Sequence, residues 1–183
     1  FQKSVGLNGV GSKAVNALSN YFKVTAYREG KEKTAEFERG ILTKEYKEAA
    51  TKEENGTFVT FIPDESIFKN FHFIPDYLEN QLWNYCYLNA GIVMNLNNKR
   101  YVRKNGLLDL LQRKTNEDEL RYPIIHLKGE DIEVAISHEN GYGEEYYSFV
   151  NGQFTTQGGT HLAAFREGYV KTIREFFKKD YDA

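Results

Sequence analysis

Gly6-Leu7-Asn8-Gly9-Val10-Gly11 constrains this chain more than any other stretch. Its three glycines stand just ahead of residues 12–21, where Val15, Leu18 and Phe22 recur at helical spacing, so the loop is expected to end on a helix N-terminus. The first amides of a helix have no partner inside it, and the helix dipole is positive there. Glycines without a Cβ let the backbone close around oxygens, so such a terminus attracts anions. The pattern is G-x-x-G-x-G. A dinucleotide-binding loop reads G-x-G-x-x-G, and a P-loop ends in Lys followed by Ser or Thr, whereas here Ser12 precedes Lys13. Spacing alone leaves two readings open, a phosphate-binding loop and a plain glycine turn before a surface helix.

Turn residues and periodicity divide the rest of the chain. Residues 23–28 alternate as a strand, and Glu29-Gly30-Lys31 reads as a turn into a second strand ending near Gly40. Residues 42–55 are charged and weakly apolar and are expected to form a solvated connection, followed by an aromatic strand over 57–62 that Pro63 ends. Pro75-Asp76 opens a helix that Gly91 stops, and residues 92–96 and 100–103 flank a hairpin turn. A short helix over 106–111, a charged linker over 113–121 and a three-stranded meander over 124–127, 132–137 and 146–150 are expected next. A helix over 160–179 closes the chain, with Leu162, Phe165, Tyr169, Ile173 and Phe176 on one face. Strands covered by helices on one side give an α+β class.

With 40% hydrophobic and 15% aromatic residues, the 183-residue chain is rich enough for a substantial core. No apolar run reaches membrane-spanning length and no secretory signal is evident, so no membrane partner is expected. One cysteine excludes an internal disulfide and fits a reducing, cytoplasmic setting. Cys86 shares an apolar helical pattern with Leu78, Leu82 and Tyr85, which reads as a buried structural thiol. The chain opens at Phe1, so a piece of a longer protein is expected. His72, His126, His138 and His161 lack metal-ligand spacing, and Asp118, Glu119, Glu144 and Glu145 sit in linker or turn sequence. No metal site is assigned. Net charge is −2, without the field of a dedicated nucleic-acid binder, although Lys171, Arg174 and Lys178 share a helix face.

Ser4-Val5-Gly6-Leu7-Asn8-Gly9-Val10-Gly11 followed by Ala14-Val15-Asn16-Ala17-Leu18-Ser19 closely resembles the ATP lid of the B subunits of bacterial type IIA DNA topoisomerases. This family comprises DNA gyrase and topoisomerase IV and carries a GHKL-class ATPase domain. Three further stretches are similar to it in the same order: Asn55-Gly56-Thr57, Leu88-Asn89-Ala90-Gly91-Ile92 and Gln157-Gly158-Gly159-Thr160-His161-Leu162-Ala163-Ala164-Phe165. The resemblance implies that residues 1–104 are the part of the ATPase domain beginning at the lid, and 105–183 the first part of a transducer domain with a ribosomal protein S5-like fold.

It also implies ATP and Mg²⁺ as cofactors. Gly6, Leu7, Asn8, Gly9, Val10, Gly11 and Ser12 would wrap the triphosphate, and Thr57 would lie near the adenine. The family's general base and Mg²⁺ ligand precede the lid, and its γ-phosphate lysine follows the last residue here. No catalytic residue is therefore expected in this chain, and the polypeptide by itself is expected to lack ATPase activity. The implied partners are DNA, the topoisomerase A subunit and a second B subunit joined by ATP-dependent dimerisation. Lys171, Arg174 and Lys178 read either as a solvated face or as the wall of a cavity that passes duplex DNA. Thr160 reads as a helix cap. Val5 and Asn8 depart from the gyrase lid, so within the family the chain resembles topoisomerase IV more than gyrase. A non-catalytic interaction domain, with the glycine loop only a turn, is the alternative from another class.

Overall fold

A computed structural model describes residues 9–181, with side chains as far as 178. They form two compact units, 9–74 and 75–181.

The first unit is a twisted antiparallel sheet with one short helix. Helix α1 (Val10–Ala17) leads into β1 (Ser19–Arg28), followed by β2 (Lys31–Glu38), β3 (Ile41–Glu45), β4 (Ala49–Ala50) and β5 (Gly56–Pro63). The strand order is β3-β2-β1-β5, with β4 pairing against β2. Phe22 on β1 faces Phe37 on β2 and Phe61 on β5, and this aromatic row fixes the register across three strands. Two tight turns join the first three strands, with positive φ at Glu29 and Gly30 (52° and 75°) and at Arg39 and Gly40 (48° and 82°). Positive φ at both central residues gives the turn twist that suits a hairpin.

Two expectations for this unit are corrected. The helix expected over 12–21 stops at Ala17, because Phe22 is drawn into the aromatic row of β1 and only Phe22 of the apparent helical stripe is buried. Pairing with β5 across the sheet outweighs the local period. The connection expected over 42–55 contains β3 and β4. Their residues are exposed on both faces and so lack apolar alternation, while ion pairs to β2 hold the segment: Lys33 to Glu45 of β3 at 2.6 Å and Lys31 to Glu48, the residue before β4, at 2.8 Å.

The second unit begins with α2 (Pro75–Leu88), then the hairpin β6 (Val93–Leu96) and β7 (Lys99–Val102), and α3 (Leu107–Lys114). Its buried centre is Cys86 and Tyr87 of α2, Tyr101 of β7 and Leu110 of α3. Burial pushes the Cys86 thiol up, in keeping with a structural role. After a 3₁₀ turn at Glu117–Glu119 come β8 (Ile125–Lys128), β9 (Glu133–Ile136), β10 (Phe149–Val150), β11 (Gln153–Phe154) and the long α4 (Thr160–Tyr181). The expected meander is instead two separate hairpins, β8-β9 and β10-β11. Tyr146 and Tyr147 leave the third strand because their hydroxyls donate to Glu144 (2.6 Å) and Glu145 (2.7 Å). The bond to Glu145 pushes the Tyr147 phenol up to about 12.

Candidate nucleotide and DNA sites

Of the lid residues, Gly9, Val10, Gly11 and Ser12 are described, and Gly6, Leu7 and Asn8 lie outside the described residues. Gly9 is the N-cap of α1 in a left-handed conformation (φ 58°, ψ 30°), with no side chain capping the helix and no acidic residue in its first turn. Among the described residues the first amides of this terminus thus have no side-chain cap and no acid in the first turn beside them. A Cβ built on Gly9 or Gly11 meets no other atom within 4 Å, so the backbone there is open to an approaching oxygen. These features fit a phosphate group.

The other end of α1 is anchored by groups that periodicity does not reveal. The Ser19 hydroxyl donates to the Val15 carbonyl at 2.6 Å, and the Arg39 amide donates to the Ser19 carbonyl at 2.8 Å. Asp64, just after β5, is buried and joins this cluster. Its amide donates to the Leu18 carbonyl at 3.0 Å, and its carboxylate accepts from the Arg39 guanidinium and from the Ser66 hydroxyl (2.7 Å) and amide (2.9 Å). The Arg39 bond, reinforced by Ser66, holds the Asp64 carboxyl far below the usual carboxylate range. The one local signal for it is the Asp64-Glu65-Ser66 spacing, in which an aspartate caps the amide two residues on.

Thr57 is the second residue of β5, opposite Ala26, and is exposed. On α4, Lys171, Arg174 and Lys178 are all exposed. Lys171 lies 4.0 Å from the Glu175 carboxylate, which partly offsets its charge, while Arg174 and Lys178 have no ion-pair partner among the described residues. The entry to α4 is built from Gly158 and Gly159 (φ 72° and 149°), with His161 Nε2 2.5 Å from the Ser148 hydroxyl and that hydroxyl 2.6 Å from Thr155 Oγ1. His161 thereby ties the helix start to the β10-β11 hairpin. His126 lies 2.9 Å from Glu133, His138 meets Tyr122 and His72 meets the Asn70 carbonyl, so the four histidines serve separate local contacts. Among the described residues no three His, Cys, Asp or Glu side chains are grouped to hold a metal ion, and no helix is long and apolar enough to cross a membrane.

Comparison with known proteins gives a consistent set of relatives. A family model described as DNA gyrase B matches residues 95–182. The chain is 46% identical over its whole length to the B subunit of DNA topoisomerase 4 from Borreliella burgdorferi, covering 30% of that protein. It is 32% identical to the B subunit of DNA gyrase from Cytophaga aurantiaca over 98% of this chain and 41% of the relative. Among solved structures, the 43K ATPase domain of Thermus thermophilus gyrase B in complex with an aminocoumarin is similar with a TM-score of 0.75 at 30% identity, over 99% of this chain and 53% of that one. The chain therefore spans well under half the length of these two curated relatives.

Proposed function

Because this chain belongs to the B-subunit family of bacterial type IIA DNA topoisomerases, we propose that it is the lid-bearing part of the ATP-binding subunit of a topoisomerase IV. In that reading residues 1–104 belong to the GHKL ATPase domain and 105–183 to the transducer. The observation that carries it is the glycine-led, uncapped N-terminus of α1.

The backbone from Gly6 to Ser12 would hold the triphosphate, with the amides of α1 aimed at phosphate oxygens and the dipole favouring their charge. Thr57 would border the adenine. Bound ATP supplies the phosphoanhydride whose hydrolysis resets the protein. The Ser19, Arg39 and Asp64 cluster holds the C-terminal end of α1 on the sheet, so phosphate contact at one end of the helix acts against a fixed point at the other. In this reading the Mg²⁺ ligand lies upstream of the lid, as the family resemblance implies. With no general base assigned in this chain, the polypeptide alone turns over no ATP. Closure of two B subunits over a DNA duplex, with the A subunit cleaving a second duplex, completes the proposed cycle, and Lys171, Arg174 and Lys178 would line the path of the passing DNA.

The test is reconstitution of the full-length protein with its cognate A subunit. ATP-dependent decatenation and relaxation without net negative supercoiling is the expected outcome. Negative supercoils introduced into relaxed plasmid would instead assign the protein to gyrase, to which the 32% identical relative belongs. Absence of any ATP-dependent strand passage would overturn both.

A further inference from the structure

The second unit carries a concentration of positive charge that the whole-chain balance conceals. Residues 81–114 hold Lys99, Arg100, Arg103, Lys104, Arg113 and Lys114 against a single acid, Asp109, in a chain of net charge −2. Two of these cations are held on one indole. The guanidinium carbon of Arg103 lies 4.2 Å from the centroid of the Trp83 ring, and that of Arg113 lies 5.2 Å from it. Arg113 also donates to the Tyr87 hydroxyl at 3.4 Å. Trp83 is itself fixed, stacked on Tyr87 at 6.0 Å and edge-on to Tyr101 at 5.0 Å, both of them buried.

Neither guanidinium has a carboxylate within 4 Å among the described residues. The carboxylates whose field they feel are engaged elsewhere. Asp109, beside Arg103, accepts from the amides of Lys104 and Asn105 and from the Asn105 side chain. Glu79, in the field of Arg113, takes the Lys99 ammonium at 2.6 Å. An aromatic face attracts a guanidinium without neutralising it, and although Arg103 donates to the Val102 carbonyl at 3.4 Å as Arg113 does to Tyr87, each guanidinium has further in-plane donors for oxygens. Two like charges held on one ring repel each other, and a bound anion relieves that repulsion. Placement in the last turn of α3 accounts for Arg113 through the helix dipole. It does not account for Arg103, which follows β7.

We propose that Trp83, Arg103 and Arg113 form a contact for the phosphate backbone of duplex DNA. A polymer is favoured over a free nucleotide because the surrounding stretch carries six cations against one acid, an excess that suits a polyanion. The proposal rests on DNA being a partner of this protein, as read above, and gives that contact a place outside α4.

The experiment measures binding of a fluorescein-labelled duplex to the full-length protein across a salt series, without ATP or A subunit. Each phosphate contact contributes about 0.9 to the slope of log affinity against log salt, so Arg103→Gln with Arg113→Gln is expected to weaken binding and lower the slope by about 2. The pair Arg103→Lys and Arg113→Lys keeps the charge and is expected to keep the slope. An unchanged slope in the glutamine variant overturns the proposal, and so does an equal loss in the lysine variant, which would mark a structural defect. Unlabelled duplex is expected to compete with the probe through this site. Competition by inorganic triphosphate that the glutamine variant abolishes, with the duplex slope unchanged, would assign the site to free phosphate and overturn the DNA reading. Because the readout needs no strand passage, failed decatenation leaves it intact, and normal decatenation with an unchanged slope removes this contact alone.

Discussion

At the scale of single residues, Gly11 separates folding from phosphate contact. It lies in the first turn of α1, its φ is not positive, and a Cβ there meets nothing within 4 Å. Gly11→Val is therefore expected to shift the melting temperature of the polypeptide by no more than about 2 °C, since valine in a helix is no worse than glycine. In the full-length protein the same change is expected to abolish ATP-dependent activity, because a branched side chain occupies the space a phosphate oxygen would enter. Thermal melts and ATPase assays together check this, and retained turnover would remove the lid from the phosphate site.

Asp64 gives a pH-dependent counterpart. Its carboxyl is depressed in the folded state, so its stabilising effect is complete above the unfolded aspartate value of about 3.9 and is lost as pH falls through the lower folded value. Asp64→Asn is expected to lower the melting temperature by about 5 °C at neutral pH. The gap to the unmodified protein should begin to narrow below about pH 4, where the aspartate of the unfolded chain protonates while the native carboxyl is still ionised, and should go on narrowing as pH falls further. Melts across a pH series check both, and a gap that stays constant to pH 2 would show that the charge is not what stabilises.

Among the elements, α3 shows how a helix start can depend on a distant strand. Gly106 caps it at φ 61° and ψ −128°, and the Glu133 carboxylate of β9 accepts the Leu107 amide at 3.0 Å while contacting His126. A Cβ on Gly106 would meet that carboxylate oxygen, which is held from two sides. Gly106→Ala is expected to lower the melting temperature by about 5 °C, with faster amide exchange at the start of α3 as its local signature.

Elements whose signals are local were readable from the sequence. Pro75 at the head of α2, Gly30 and Gly91 at turns, and the apolar series of α4 are examples. Strands β3 and β4 were not, because ion pairs to β2 hold their segment and their own residues bury nothing. The start of β1 was hidden for the converse reason, since Phe22 fits a helical period by coincidence and is claimed by partners 15 and 39 residues away, Phe37 and Phe61. The lid glycines were legible as a motif. The Asp64 anchor and the stacking on Trp83 arise only when separate elements meet.

For the molecule as a whole, the outer strand of the first sheet sets how the polypeptide behaves in solution. Strand β5 pairs with β1 and has no second neighbour among the described strands, and it exposes Phe58, Val59, Phe61 and Ile62. An uncovered apolar edge offers unpaired amides and carbonyls as a template for another chain. The purified polypeptide is expected to form larger species as its concentration rises, seen by light scattering, and Phe58→Lys should suppress them. A variant that scatters as strongly as the parent would move the cause to another surface. If the edge is responsible, shelf life in the test tube is governed by colloidal association from the folded state, and buffers chosen to raise the melting point will do little to extend it.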